Sequence, residues 1–148
     1  MKKAIVFGAT SGIGKALTAL LLQDNYQVAV TGRRLDKLKA LEEEHGKNVL
    51  IKQNDIQDVD HVEVVFNEIV KKFGVVDLII QSSGVGYVNS ELDWKKENQT
   101  INTNVLGVTK LYDLAYKLFK KQGLGHLVGI SSIRSEERRV GKECRSRW

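Results

Sequence analysis

Residues 4–14, AIVFGATSGIG, decide how the rest of the chain is read. Ala4 to Phe7 is a short apolar run. Gly8, Gly12 and Gly14 break the segment that follows, and Ile13, Leu17, Leu20 and Leu21 then fall on one helical face. The order is strand, glycine turn, helix. On its own such a turn is a weak signal, since a tight turn with close helix packing also explains it, so its meaning depends on what surrounds it.

The same alternation continues. Val28 to Thr31 is strand-like, and Leu35, Leu38 and Leu41 are spaced for a short helix. Val49 to Ile51 is again a strand. Val59, Val62, Phe66, Ile69 and Phe73 mark the inner face of a helix, and VVDLII ends a fourth strand at Ile80. After QSSGVG, the region from Glu91 to Phe119 reads as mostly helical, and His126 to Ser131 forms a fifth strand, where the series stops. Apolar strands alternating with amphipathic helices imply a parallel sheet covered on both faces, a doubly wound α/β domain over residues 1–133.

Composition narrows the function classes. The chain has 148 residues and a formal net charge of +5. Residues 134–148 hold Arg134, Arg138, Arg139, Lys142, Arg145 and Arg147 against Glu136, Glu137 and Glu143, so they contribute +3 of that charge and residues 1–133 only +2. Charges in the body are scattered and mixed in sign, which argues against nucleic acid as a partner. No apolar run has the length of a membrane span, and MKKAIVFGA lacks the apolar stretch and cleavage site of a signal peptide, so a cytoplasmic protein without a membrane partner is expected. The single cysteine, Cys144, excludes an internal disulfide, and no cluster has metal-ligand spacing.

In a doubly wound sheet, ligands bind beyond the carboxyl ends of the strands, so the residues after each strand carry the information. A glycine turn opening a helix lets the backbone approach a pyrophosphate and aims free amides at it. GATSGIG resembles the GxxxGxG cofactor motif of the short-chain dehydrogenase/reductase family, and four later stretches match that family in order, over residues 2–133. NDIQD resembles its Asp-plus-apolar pair, which implies Asp55 and Ile56 against an adenine. QSSG stands where the family has Asn-Asn-Ala-Gly, which implies that Ser82, Ser83 and Gly84 pass near the cofactor. INTNVLG resembles the helix segment whose asparagine, here Asn104, helps organise a proton relay. GISS resembles the end of the fifth strand, whose second serine, here Ser132, would hydrogen-bond the substrate oxygen. The resemblance thus implies a Rossmann-like fold, a cofactor held by Gly8, Ser11, Gly12, Ile13 and Gly14, and catalytic roles for Asn104 and Ser132. It also implies hydride transfer with a small alcohol or carbonyl substrate, and a homo-oligomeric intact protein. Two departures are Phe7, where the family often has threonine, and the hydroxyls of QSSG in place of amides.

The end of the second strand bears on which nicotinamide cofactor is used. An NAD enzyme places a carboxylate there to bind the ribose 2′-hydroxyl, whereas this chain has Gly32 followed by Arg33 and Arg34. A guanidinium forks readily onto a phosphate, so NADP is expected over NAD, with Ser11 assisting at the same phosphate.

The family's acid/base is a Tyr-x-x-x-Lys pair on the helix after the fifth strand, the lysine drawing the tyrosine pKa toward neutrality. Residues 133–148 contain no tyrosine. Tyr116 and Lys120 have the right spacing but precede Ser132, and are expected to be helix surface. Residues 134–148, RSEERRVGKECRSRW, resemble without a mismatch the translation of a common sequencing adapter. On that reading they are a non-native tail to be set apart from the fold. The leading expectation is therefore an incomplete NADP-dependent short-chain reductase or dehydrogenase. A non-catalytic NADP sensor is the alternative, and a binder acting through the basic tail is a third.

Overall fold

A computed structural model describes residues 1–132; the tail assigned to 134–148 lies outside the described residues. Five strands, β1 (Lys3–Phe7), β2 (Gln27–Gly32), β3 (Val49–Gln53), β4 (Leu78–Gln81) and β5 (His126–Gly129), form one sheet in the order β3-β2-β1-β4-β5. All pairings are parallel, with Ile5 opposite Ala29 on one side and Ile79 on the other. The chain therefore winds outward from β1 in one direction and then crosses back to continue in the other. This is the Rossmann-like doubly wound architecture, and the crossover leaves a crevice at the carboxyl ends of β1 and β4.

Helices α1 (Gly12–Gln23), α2 (Leu35–His45), α3 (Val59–Phe73), α4 (Trp94–Ile101) and α5 (Val108–Gln122) connect the strands. They explain why β1 is apolar at consecutive positions rather than alternate ones. Ile5 and Phe7 face a core made with Val62, Phe66 and Ile69 of α3 and Leu111 of α5. Ala4 and Val6 face the opposite core, with Leu38 and Leu41 of α2 and the flanks of α1. Phe7, where the family often has threonine, is fully buried and stacks on Phe66 with ring centroids 6.4 Å apart.

Several local expectations need correction, among them the fifth strand, which pairs over His126–Gly129 and not as far as Ser131. In α1, Ile13 and Leu20 are exposed, while the face turned inward is built on buried Gly14 and Thr18 with Leu17 and Leu21 beside them. The cause is close packing: a Cβ on Gly14 would run into the carbonyl of Gly8, so the helix axis approaches the turn too closely for a large residue there. The fourth strand, Leu78–Gln81, ends one residue beyond Ile80, and Asp77 before it is bonded on both sides, its amide donating to the Lys3 carbonyl at 2.9 Å, its carbonyl accepting the His126 amide at 2.9 Å and its carboxylate accepting the Lys3 amide at 2.7 Å. The mostly helical region read over Glu91 to Phe119 is helical from Trp94 to Gln122, and within it Asn102–Gly107 forms a π-helical turn between α4 and α5.

Candidate functional site

The turn after β1 is bolted to the end of β2, since the amides of Gly8 and Ala9 both donate to Thr31 O at 3.0 Å. This fixes the path on which the glycines act. Gly8 has φ +90° and lies so close to the loop after β4 that a Cβ would stand 2.7 Å from the Ser83 amide nitrogen. Ser11 occupies the N-cap of α1, yet its side chain caps no amide. Its Oγ instead accepts from Arg34 Nη2 at 2.6 Å, and the same nitrogen donates to Thr10 Oγ1 at 2.8 Å. The first-turn amides of α1 thus keep the open anion site that a helix N-terminus provides.

A cavity of about 300 Å³ lies over this turn. Of the cofactor residues expected from sequence, Gly8, Ser11, Gly12, Ile13, Arg33, Arg34, Asp55, Ile56, Ser83 and Gly84 all line it. Gly14 does not; it sits beneath, where its role is to let α1 close on Gly8. Charges on the lining are Arg33 and Arg34 against the single carboxylate of Asp55, whose Oδ1 accepts the Gln57 amide at 3.1 Å. The cavity also includes residues that motif reading did not single out, among them Thr10, Asn54 and Thr103.

Asn104 and Ser132 line an adjoining cavity of about 600 Å³, which shares Ser83, Gly84, Val85 and Ile130 with the first. Asn104 forms a two-point brace: its Oδ1 accepts the Val85 amide at 3.0 Å and its Nδ2 donates to the Val85 carbonyl at 2.7 Å. The π-helical turn that carries it also presses on the loop after β3, since a Cβ on Gly107 would run into the Ile56 carbonyl. Tyr116 and Lys120 lie elsewhere, on α5, with Tyr116 exposed and Lys120 Nζ 6.0 Å from its ring centroid. The far end of that helix is tied by the Gln122 side chain to both backbone groups of Val76, ahead of β4.

The cleft fits a dinucleotide on its own features. Beyond Gly12, its chain neighbours and its own helix, no atom of the described residues lies within 4 Å of the place a Cβ would take on Gly12, so the approach to the start of α1 is open. Asn54 and Thr103 are almost wholly buried on the lining, and Asn54 Oδ1 and Thr103 Oγ1 make no hydrogen bond among the described residues. Buried polar atoms are seldom left so, which is the condition of a site that expects a polar occupant. Two arginines at its mouth supply the counter-charge for phosphate.

Comparison with known proteins places the chain in a class. It matches the short chain dehydrogenase family over residues 2–144, a stretch that runs past Ile133, and it belongs to that family. An uncharacterized oxidoreductase of Staphylococcus haemolyticus is 31% identical over 143 residues, covering 95% of this chain and 61% of that protein. Carbonyl reductase family member 4 of Xenopus tropicalis is 32% identical over 148 residues, covering 95% of this chain and 60% of its own length. Among solved structures, ElxO with NADP bound superimposes with a TM-score of 0.85 at 31% identity, covering 93% of this chain and 58% of that one. The chain therefore spans about 60% of the length of the relatives it matches.

Proposed function

We propose that this chain carries the cofactor-binding part of an NADP-dependent oxidoreductase acting on a small alcohol or carbonyl substrate. The observation that carries the reading is the end of β2, where Gly32 offers no carboxylate and Arg34 is held against Thr10 and Ser11. The bound nicotinamide supplies or takes up the hydride. The amides of the glycine turn take the pyrophosphate; Arg33, Arg34 and Ser11 take the 2′-phosphate; Asp55 and Ile56 take the adenine. Ser83 and Gly84 line the path toward the second cavity, where Ser132 would hydrogen-bond the substrate oxygen and Asn104 fixes the Val85 loop. The NADP-bound relative at 31% identity supports the cofactor class.

The test is a fluorescence titration of the purified chain with NADPH and NADH. NADPH should bind at least about tenfold more tightly, the worth of one charge-assisted contact. Equal affinity would overturn the NADP assignment. Because no tyrosine follows Ser132, the 148-residue chain should reduce no carbonyl substrate, and measurable turnover would overturn that assignment of the acid/base. Residues 134–148 are proposed to be an adapter-derived tail without a role, the full-length protein being cytoplasmic and homo-oligomeric. Reading the source locus through codon 133 decides the tail: a continuing frame bearing Tyr-x-x-x-Lys supports it, and the same tail followed by a stop refutes it.

A further inference from the structure

Thr10 carries a methyl and a hydroxyl on one Cβ, and each has a separate engagement. Its Cγ2 stands 2.5 Å from where a Cβ on Gly32 would be, while its Oγ1 accepts the Arg34 Nη2 hydrogen bond at 2.8 Å. Neither backbone can yield easily. The turn bearing Thr10 is bonded to Thr31 O, and the Gly32 carbonyl accepts the Asn54 amide at 2.9 Å. Room for a side chain at position 32 must come from rotating Thr10 about χ1. Methyl and hydroxyl turn together, so making that room withdraws the hydroxyl from Arg34.

We propose that Thr10 is the positioning residue that sets cofactor selectivity, by making a side chain at position 32 and a docked Arg34 mutually exclusive. This rests on the NADP reading above. With Gly32 in place, Thr10 and Ser11 hold Nη2, and Nε and Nη1 of Arg34 make no hydrogen bond among the described residues, leaving them to fork onto a phosphate. With a side chain at position 32, the one that would bring a carboxylate to the ribose 2′-hydroxyl, the guanidinium loses its support. The cleft has two exclusive states, and the methyl of Thr10 couples them.

A double-mutant cycle tests this on the full 148-residue chain: wild type, Thr10→Ala, Gly32→Ala and the double variant, each titrated with NADPH and with NADH and each melted without cofactor. Gly32→Ala should weaken NADPH about tenfold while Thr10 is present and less than about twofold once Thr10 is alanine, with NADH little changed in either background. Melting without cofactor should show the same non-additivity, because the clash belongs to the protein alone. Equal costs of Gly32→Ala in both backgrounds would overturn the proposal. Should Gly32→Ala not fold, Thr10→Val decides: it keeps the methyl and loses the acceptor, and an unchanged NADPH-to-NADH ratio would overturn it. A wild type that does not prefer NADPH refutes the NADP assignment, whereas the cofactor-free melts still report the Thr10–Gly32 contact, so the two failures are told apart.

Discussion

Gly8 and Gly12 show how two glycines of one motif do different work. Both have positive φ, but a Cβ on Gly8 meets the backbone of Ser83, whereas one on Gly12 meets nothing. Gly12→Ala should therefore cost only the left-handed strain, about 1–2 kcal/mol. Gly8→Ala adds a backbone collision at the sheet's centre and should cost at least about 3 kcal/mol, with cofactor binding abolished. Urea denaturation of the two variants checks the order, and equal costs would mean that the loop after β4 gives way. Both glycines were legible in the sequence as a motif. Thr10 was not, because its partner Gly32 is distant in the chain and their contact exists only once β1 and β2 have paired. Asn54 and Thr103 were hidden for a similar reason: neither residue type signals a ligand until burial strips away its alternatives.

Among the elements, the π-helical turn at Asn102–Gly107 links the two loops of the cleft, holding Val85 through Asn104 and packing on Ile56 through Gly107. Such widened turns recur at functional sites because they redirect side chains without ending a helix. Asn104→Ala should destabilise the chain by about 1–2 kcal/mol and speed amide exchange at Val85, while the α3 amides stay protected. Unchanged exchange at Val85 would show that the brace is unimportant. Periodicity located this helical region but could not show the turn, since Asn102–Gly107 holds only Val105 and Leu106 as apolar markers, too few to reveal a change of period.

Two ion pairs join elements at the surface: Lys52 of β3 with Glu68 of α3, and Lys110 of α5 with Glu63 of α3. The hydrogen bond from Lys52 lowers the Glu68 pKa, and the hydrogen bond to Glu63 raises that of Lys110. The Glu68 contribution is present above the unfolded carboxylate pKa and is lost as pH falls through the lower folded value. The Lys110 contribution is present below the unfolded lysine pKa and is lost as pH rises through the higher folded one. Both pairs are partly exposed and screened by solvent, so Lys110→Met should lower the melting temperature only slightly near neutral pH, with no difference left at pH above the lysine range. A large, pH-independent loss would mean that its hydrocarbon stem, not its charge, matters.

For the whole molecule, the sheet separates two cores, and the one shared by α3 and α5 holds the larger side chains. Phe66→Ala, which removes the ring stacked on Phe7, should cost about 3–5 kcal/mol and leave the 148-residue chain barely folded, as a thermal melt would show. Among the described residues β5 pairs only with β4, and Leu127, Val128 and Ile130 beside its outer edge are half-buried. An open apolar edge is a template for further pairing, so the purified chain should self-associate. A monomeric elution profile with a cooperative melt would refute this. The alternation of strands and helices was fully readable, because burial on both faces demands consecutive apolar residues. The exposure of Ile13 and Leu20 was not, because their surroundings depend on how closely α1 approaches Gly8.

The strand order also has a temporal side. As a chain leaves the ribosome, β1, β2 and β3 are complete by residue 53, and they pair as neighbours through short crossovers. The other flank of β1 must wait for Leu78–Gln81, across the long interval that the Lys3–Asp77 clamp eventually closes. During that interval β1, fully buried at Ala4 to Phe7 in the finished molecule, keeps one edge unpaired, at the stage of synthesis when neighbouring nascent chains present the same edge. The central placement of β1 that creates the ligand crevice therefore leaves Ala4–Phe7 as a pairing template until β4 arrives, a stage at which rapid synthesis or a shielding chaperone would limit misassembly.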